Sequence, residues 1–224
     1  MNLKTDAKLE ISDNLATLSS INDLLERRFY IYGVIPDVND YRNYYTLDFT
    51  ALSVPDIVRF IIAINREDNK HEAEAAPGET FERKPIWIYI DSFGGDIDTR
   101  MSLVNTISLS KTPVYTVNLG LCYSMAFVIF ISGHRRFSLP DAKFLFHDGH
   151  KVCMGDANKV DDYMNFSKRY EKAVFRRIML ERSNDTFTEE IYERLYPHDN
   201  YLFAKEALGY GFVDEIIEDI SILG

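Results

Sequence analysis

Ser124 lies in Gly120-Leu-Cys-Tyr-Ser124-Met125-Ala126, after one apolar run and before another. The first run reads as a strand and the second as a helix. A strand-to-helix elbow fixes a serine hydroxyl at one point. The helix start beside it offers backbone N–H groups and the positive end of a dipole. That arrangement suits a nucleophilic serine with an anion site next to it for a tetrahedral intermediate. Upstream, Gly94-Gly95 closes another apolar run, and downstream stand His147 and Asp199. Serine, histidine and aspartate in this setting suggest acyl transfer by a serine hydrolase.

Each of these residues also has a bland reading. A serine before an apolar helix is commonly just an N-cap, and a histidine at a strand end is commonly structural. Cys122, two residues before Ser124, reads as a small buried hydrophobe rather than a thiol nucleophile. His150 and His198 compete with His147 as the base, and Asp148 competes with Asp199 as the acid. An adjacent residue is poorly placed to face its neighbour's imidazole, which favours Asp199. His147 and His150 also permit a metal pair, but no further ligand cluster accompanies them and no metal is expected.

The elements that must hold these residues alternate between strand and helix. Strands are predicted at Phe29–Val34, Ile86–Ile90, Val114–Asn118, Arg136–Ser138, Lys143–His147 and Phe212–Ile217. Helices are predicted after Pro55, over Ile97–Ser110, Met125–Ser132, Ala157–Arg182 and Ala204–Leu208. Thr186-Phe-Thr-Glu189 has the pattern of a capping box opening one more helix. Residues 1–20 read as a polar N-terminal arm, and 35–50 as an irregular connection. Residues 66–84, rich in charge and containing Pro77-Gly78, read as an exposed loop inserted in a single domain over 21–224. No internal repeat is visible. The alternation predicts an α/β fold with a largely parallel sheet. Gly95, Ser124 and His147 then fall at the C-terminal ends of strands, the edge where sites form in such sheets.

The chain has 224 residues, enough for one large domain with a substantial core, and a formal charge of -10. No basic stripe is present, which argues against nucleic acid as a partner. Arg135-Arg136 and Arg176-Arg177 read as solvated faces or ion-pair partners. The two cysteines, Cys122 and Cys153, build no disulfide framework, so a reduced, cytoplasmic setting is expected. The first residues carry no apolar h-region, so no signal peptide is expected. The longest apolar run, Met125 to Ile131, is far short of the roughly 20 residues that span a bilayer, so no membrane partner is expected.

The order Ser124, His147, Asp199 matches neither the α/β-hydrolases nor the chymotrypsin and subtilisin arrangements. It does match another family. Ile90-Asp-Ser-Phe-Gly94-Gly95 resembles the Ile-Asn-Ser-Pro-Gly-Gly segment of the Clp protease proteolytic subunits (ClpP). Gly120–Ala126 resembles their Gly-x-Ala-Ala-Ser-Met-Gly elbow. Arg136-Phe-Ser-Leu-Pro140 with Phe144-Leu-Phe-His147 resembles their Arg-Phe-x-Leu-Pro and histidine segments. Asp199-Asn-Tyr-Leu-Phe-Ala204-Lys-Glu-Ala207 and Gly209-Tyr-Gly-Phe-Val213-Asp214 resemble the family's C-terminal part. The resemblance runs from about Leu24 to Ile217, in the family's order and near its spacing.

The resemblance implies a ClpP/crotonase-like spiral of ββα units with a long projecting handle helix. It implies a nucleophile at Ser124, a base at His147, an orienting acid at Asp199, and an oxyanion hole from the N–H groups of Gly95 and Met125. It further implies self-association into heptameric rings, usually two stacked, enclosing a chamber. An AAA+ unfoldase would feed unfolded polypeptides into it. ATP would be used by that partner, since this chain has no G-x-x-x-x-G-K-[ST] loop, and no cofactor is expected here. The chain departs from the pattern at Phe93, Cys122, Tyr123, Ala126 and Asp148-Gly149. A crotonase-type acyl-CoA hydratase or isomerase is the alternative enzyme, and a catalytically silent ring subunit is the alternative without chemistry.

Overall fold

A computed structural model describes residues 23–34, 53–149 and 153–223. The arm read at 1–20, the connection read at 35–50 and His150 lie outside the described residues. The chain order is β1 (Arg28–Val34), α1 (Val54–Glu74), β2 (Ile86–Gly94), α2 (Ile97–Leu109), β3 (Val114–Tyr123), α3 (Met125–Ile131), β4 (Arg135–Ser138), β5 (Lys143–Phe146), α4 (Ala157–Glu181), α5 (Glu189–Leu195), β6 (Asn200–Phe203), α6 (Ala204–Gly209) and β7 (Glu215–Ile216). This is a mixed α/β fold, and the sheet is largely parallel, as its sequence alternation predicts.

The main path of the sheet is β1-β2-β3-β4-β7, all parallel. β3 is longer than its sequence suggested. Its first part, Tyr115–Asn118, pairs with β4, and its last part, Leu121–Tyr123, pairs with β5. β6 was not foreseen. It runs antiparallel to β5 and is the one antiparallel member among the described strands.

β2 explains why its sequence is apolar at nearly every position. Ile86, Ile88 and Ile90 are buried on one face against α1, α2 and α3. Trp87 and Tyr89 pack on the other face with Tyr30, Tyr115 and Phe137. A parallel strand covered on both sides reads as a continuous hydrophobic run. α3 is buried at all its residues, the signature of a helix at the centre of a core. Whatever precedes it is therefore held by the most rigid part of the molecule.

α1 opens as its sequence predicts: Ser53 and Asp56 form a capping box with Pro55 in the first turn. It then corrects the reading of 66–84 as a loop, because the helix continues through residues 66–74. The physical reason is Asp68, fully buried within that stretch. Its carboxylate accepts from Arg27 Nη1 at 3.0 Å and Nη2 at 2.7 Å, and from Thr112 Oγ1 at 2.7 Å. A composition count sees only charge here, whereas the charge is paired and ties the last turns of the helix to the residues just before β1 and β3. Burial alone would raise the Asp68 pKa. The bonds from Arg27 and Thr112 and the charges of Arg27 and Arg83 outweigh it and hold the carboxyl below its ordinary value.

Since the folded pKa is depressed, this pair stabilises the fold above the ordinary value of 3.8 and ceases to do so as pH falls through the lower folded value. Arg27→Ala should therefore cost about 3 kcal/mol at neutral pH. The gap to wild type should narrow as pH falls below the ordinary value of 3.8 and through the lower folded value, where the carboxyl protonates in both states. Urea titrations at neutral and acid pH check this; an equal gap at both would show that the arginine acts through packing alone.

Other local readings shift by small amounts. The cap of α5 is Thr188, whose hydroxyl accepts from Ile191 N, while Thr186 bonds Asn184 and the Gly209 carbonyl instead. Of Phe212–Ile217 only Glu215–Ile216 pairs as a strand, and Phe212 and Val213 are core. The arginine pairs are ion-pair partners: Arg135 with Glu215, Arg136 with Asp214, Arg176 with Glu189 and Arg177 with Glu181. In α4 the buried residues are Ser167, Glu171, Phe175, Ile178 and Met179. Most of its burial lies in the second half, while the first half touches the body at Tyr163, whose hydroxyl donates to Asp98 Oδ2 at 3.1 Å, and at the buried Ser167.

Candidate active site

The elbow is built by three strands converging on α3. β3 ends at Tyr123 and α3 starts at Met125, leaving Ser124 alone between them. Its backbone sits at φ 54, ψ -125, a conformation that costs a non-glycine residue about 1–3 kcal/mol. The surroundings impose it. Ser124 N donates to Leu145 O on β5 at 2.9 Å, and Ser124 O accepts from Phe127 N at 3.0 Å. The serine occupies the N-cap position of α3, yet its side chain makes no capping bond. The N-cap reading of this residue therefore fails, and the hydroxyl is not consumed by the helix.

β2 presses against the same elbow. Gly94 has φ +88, and a Cβ there would lie 2.5 Å from Tyr123 O and 2.9 Å from Met125 N. No side chain fits, which is why the strand ends in glycine. Gly94 N donates to the buried Ser92 Oγ at 3.1 Å. Gly95 follows at the N-terminal side of α2. Sequence reasoning named the Gly94-Gly95 doublet but gave a role to Gly95 alone, and none to Gly94 or Ser92. The backbones of Gly95 and Met125 thus flank one elbow. The first N–H groups of a helix such as α3 have no acceptor within it.

His147 and Asp199 meet through β6. The β5–β6 register pairs Leu145 with Tyr201 and Phe146 with Asn200, so His147 and Asp199 are the next pair across. Their side chains touch, with His147 Nδ1 and Asp199 Oδ1 at 3.0 Å. The imidazole is 13% exposed and the carboxylate 56%. Asn200 braces the turn by donating to the carbonyls of Leu195 and His198 at 2.5 and 2.6 Å. Nδ1 held by a carboxylate fixes the ring's orientation, with Nε2 as the ring nitrogen on the far side from Asp199.

Ser124 and His147 line one cavity, walled mainly by Ile97, Met125, Phe175 and Met179. Asp148 lines it as well, but the partner at Nδ1 is Asp199. His198 lies in the turn that delivers Asp199, outside the cavity lining. Cys122 is buried, and burial pushes its thiol pKa well up, with the Asp91 charge adding to the effect. It carries no thiolate at neutral pH. Both cysteines are free. Among the described residues no group of three or more His, Cys, Asp or Glu is placed to hold a metal, and no helix is long and apolar enough to cross a membrane.

A strained serine elbow at the edge of a parallel sheet, answered by a histidine from the neighbouring strand, is the framework of the ClpP-like serine peptidases. The chain belongs to that group: the Clp protease family matches residues 78–220. Among its relatives is ATP-dependent Clp protease proteolytic subunit 2 of Borreliella burgdorferi, 34% identical over 138 residues, covering 61% of this chain and 68% of that one. The ATP-dependent Clp protease proteolytic subunit of Lactococcus lactis subsp. cremoris is 31% identical over 144 residues, 62% of this chain and 70% of the relative. Subunit 2 of Bifidobacterium longum is 33% identical over 144 residues, 63% and 68% respectively. Nothing in these matches favours a crotonase-type acyl-CoA enzyme.

Proposed function

We propose that this chain is a serine endopeptidase in which Ser124 is the nucleophile, His147 the general base and Asp199 the orienting acid. Ser124 Oγ attacks the scissile carbonyl while His147 Nε2 takes its proton. Asp199 holds the Nδ1–H and stabilises the imidazolium that forms. The N–H groups of Gly95 and Met125 receive the oxyanion; one such donor is worth about 10²–10³ in rate. His147 returns the proton to the leaving amine, and water then hydrolyses the acyl-enzyme by the same route. The observation that carries this reading is the His147–Asp199 contact at 3.0 Å beside a serine held in a strained elbow. A fluorophosphonate should add covalently to Ser124, read by mass spectrometry of the tryptic peptide. Absence of an adduct on folded protein would leave the silent ring subunit as the better reading.

The family names given to the relatives extend the proposal to assembly. The chain forms heptameric rings, two of them stacked around a chamber in the cytoplasm, and an AAA+ unfoldase supplies unfolded polypeptide and consumes ATP. The first half of α4 supports this, because Tyr163 stays 45% exposed even with its hydroxyl on Asp98, and Phe166 is 56% exposed. These are large rings for a solvent face. Met164→Glu places a charge in that half and should convert double rings to single rings. Sedimentation velocity reads the change, and an unaltered sedimentation coefficient would remove α4 from the ring–ring contact.

A further inference from the structure

The cavity at Ser124 is hydrocarbon on most sides and polar at one. Phe127 of α3, Phe146 of β5, and Phe175 and Met179 of α4 supply the apolar walls. Besides Ser124 and His147, the polar side chains that line it are Asp148 and Tyr196, and among the described residues no lysine or arginine does. Asp148 is one of the positions where the chain departs from the family pattern.

Tyr196 is held in place from below. It caps the C-terminus of α5, where its N–H donates to Tyr192 O at 2.8 Å. Side chains four apart on a helix are neighbours, and the two tyrosine rings stack at 4.9 Å. Tyr192, the lower ring, is 1% exposed and belongs to the core. Both hydroxyl oxygens are buried. Among the described residues neither has a hydrogen-bond partner of good geometry, although each hydroxyl influences the other. A buried phenol left in that state is costly, and in the wall of a cavity it calls for a ligand atom. Burial first, then Tyr192 and the charges of Glu171 and Asp148, push the Tyr196 pKa well above its ordinary 10.0. The group that faces the cavity is therefore a neutral phenol, able to give and to take a hydrogen bond.

The two carboxylates decide which it does. Glu171 is 6% exposed and accepts from Ser167 Oγ at 2.9 Å. It lies one turn before Phe175, on the same face of α4. With Asp148 in the lining and Glu171 behind it, the phenol end of the cavity is negative. An O–H turned toward either carboxylate leaves the oxygen's lone pairs for a donor in the cavity. A side chain with a hydrocarbon stem and a cationic tip meets both parts of such a cavity.

We infer that Tyr196 and Asp148 make this cavity select a basic side chain on the residue whose carbonyl Ser124 attacks. The stem lies against Phe127, Phe146 and Phe175, and the cationic tip donates to Tyr196 Oη and faces Asp148. The inference rests on the peptidase reading and adds a substrate preference to it. The cavity contains Ser124 itself, so the side chain that enters is the one beside the attacked carbonyl.

The test uses two peptidyl diphenyl phosphonates that differ only in the side chain next to phosphorus, lysine in one and norleucine in the other. The stems are the same and only the ammonium differs. Ser124 of the full-length protein should be labelled by the lysine compound about tenfold faster or more, the least that one charge-assisted hydrogen bond is worth. Tyr196→Phe removes one oxygen and keeps the stacked ring, and Asp148→Asn removes a charge at an exposed position. Together they should bring the ratio to about unity or below. The ratio is taken within each protein, so a change in overall reactivity cancels. Norleucine reacting as fast as lysine in wild type overturns the inference, as does a lysine preference that survives both substitutions. A wild-type protein that takes the fluorophosphonate at Ser124 but neither peptidyl compound overturns it too. Folded protein that does not take the fluorophosphonate sinks the peptidase reading instead, and this inference with it.

Discussion

Ser124→Ala removes peptide hydrolysis, with kcat falling by about 10⁶-fold, the loss typical when a triad nucleophile is deleted, while the protein stays folded. The substitution deletes one oxygen that makes no capping bond to α3, so the fold loses nothing by it. The strain at φ 54 remains, because alanine relieves none of it. Ser124→Gly separates the two effects. Glycine adopts this backbone without a Cβ penalty, so it should be as inactive as alanine but more stable by about 1 kcal/mol, or about 2–4 °C in melting temperature. A variant with better stability and no activity is the mark of strain kept for function. Peptide hydrolysis, labelling and thermal melts together read the outcome. Alanine activity near that of wild type would end the assignment of Ser124.

Asp199→Asn should cost about 10⁴-fold in kcat/KM, because an amide facing Nδ1 donates where a carboxylate accepts and so favours the wrong imidazole tautomer. Its effect on stability should be small: the carboxylate is 56% exposed, and an exposed pair contributes little to folding. His147→Ala should cost as much as the loss of Ser124. The double variant should be scarcely worse than His147→Ala alone, because the acid acts only through the base. Stopped assays with a sensitive peptide read these ratios. Activity of Asp199→Asn within a few-fold of wild type would instead point to Asp148, which lines the same cavity.

Much of the framework was written in local patterns. The apolar run of β2, the buried stripe and cap of α1, and the wholly apolar α3 each announce their element, since burial sets the residue type at every position. The elbow was legible for the same reason: an apolar strand and an apolar helix joined by one serine leave little choice of geometry. The order of Ser124, His147 and Asp199 was equally plain, but only as an order.

What the sequence could not say was how remote pieces meet. Residues 66–74 looked like solvated chain because Asp68 finds Arg27 and Thr112, the residues leading into β1 and β3, only in the folded molecule. β6 was missed because Asn200–Phe203 is short and borders a polar turn, so no period shows. Yet β6 is the element that matters most here: its antiparallel register on β5 makes Asp199 the next residue opposite His147. The local sequence, then, determined the residue types, the elbow and the elements that carry them. The tertiary pairing alone decided which carboxylate faces the histidine, and that a glycine without room for a Cβ must press on the serine. Register is a property of two strands together, and neither strand encodes it by itself.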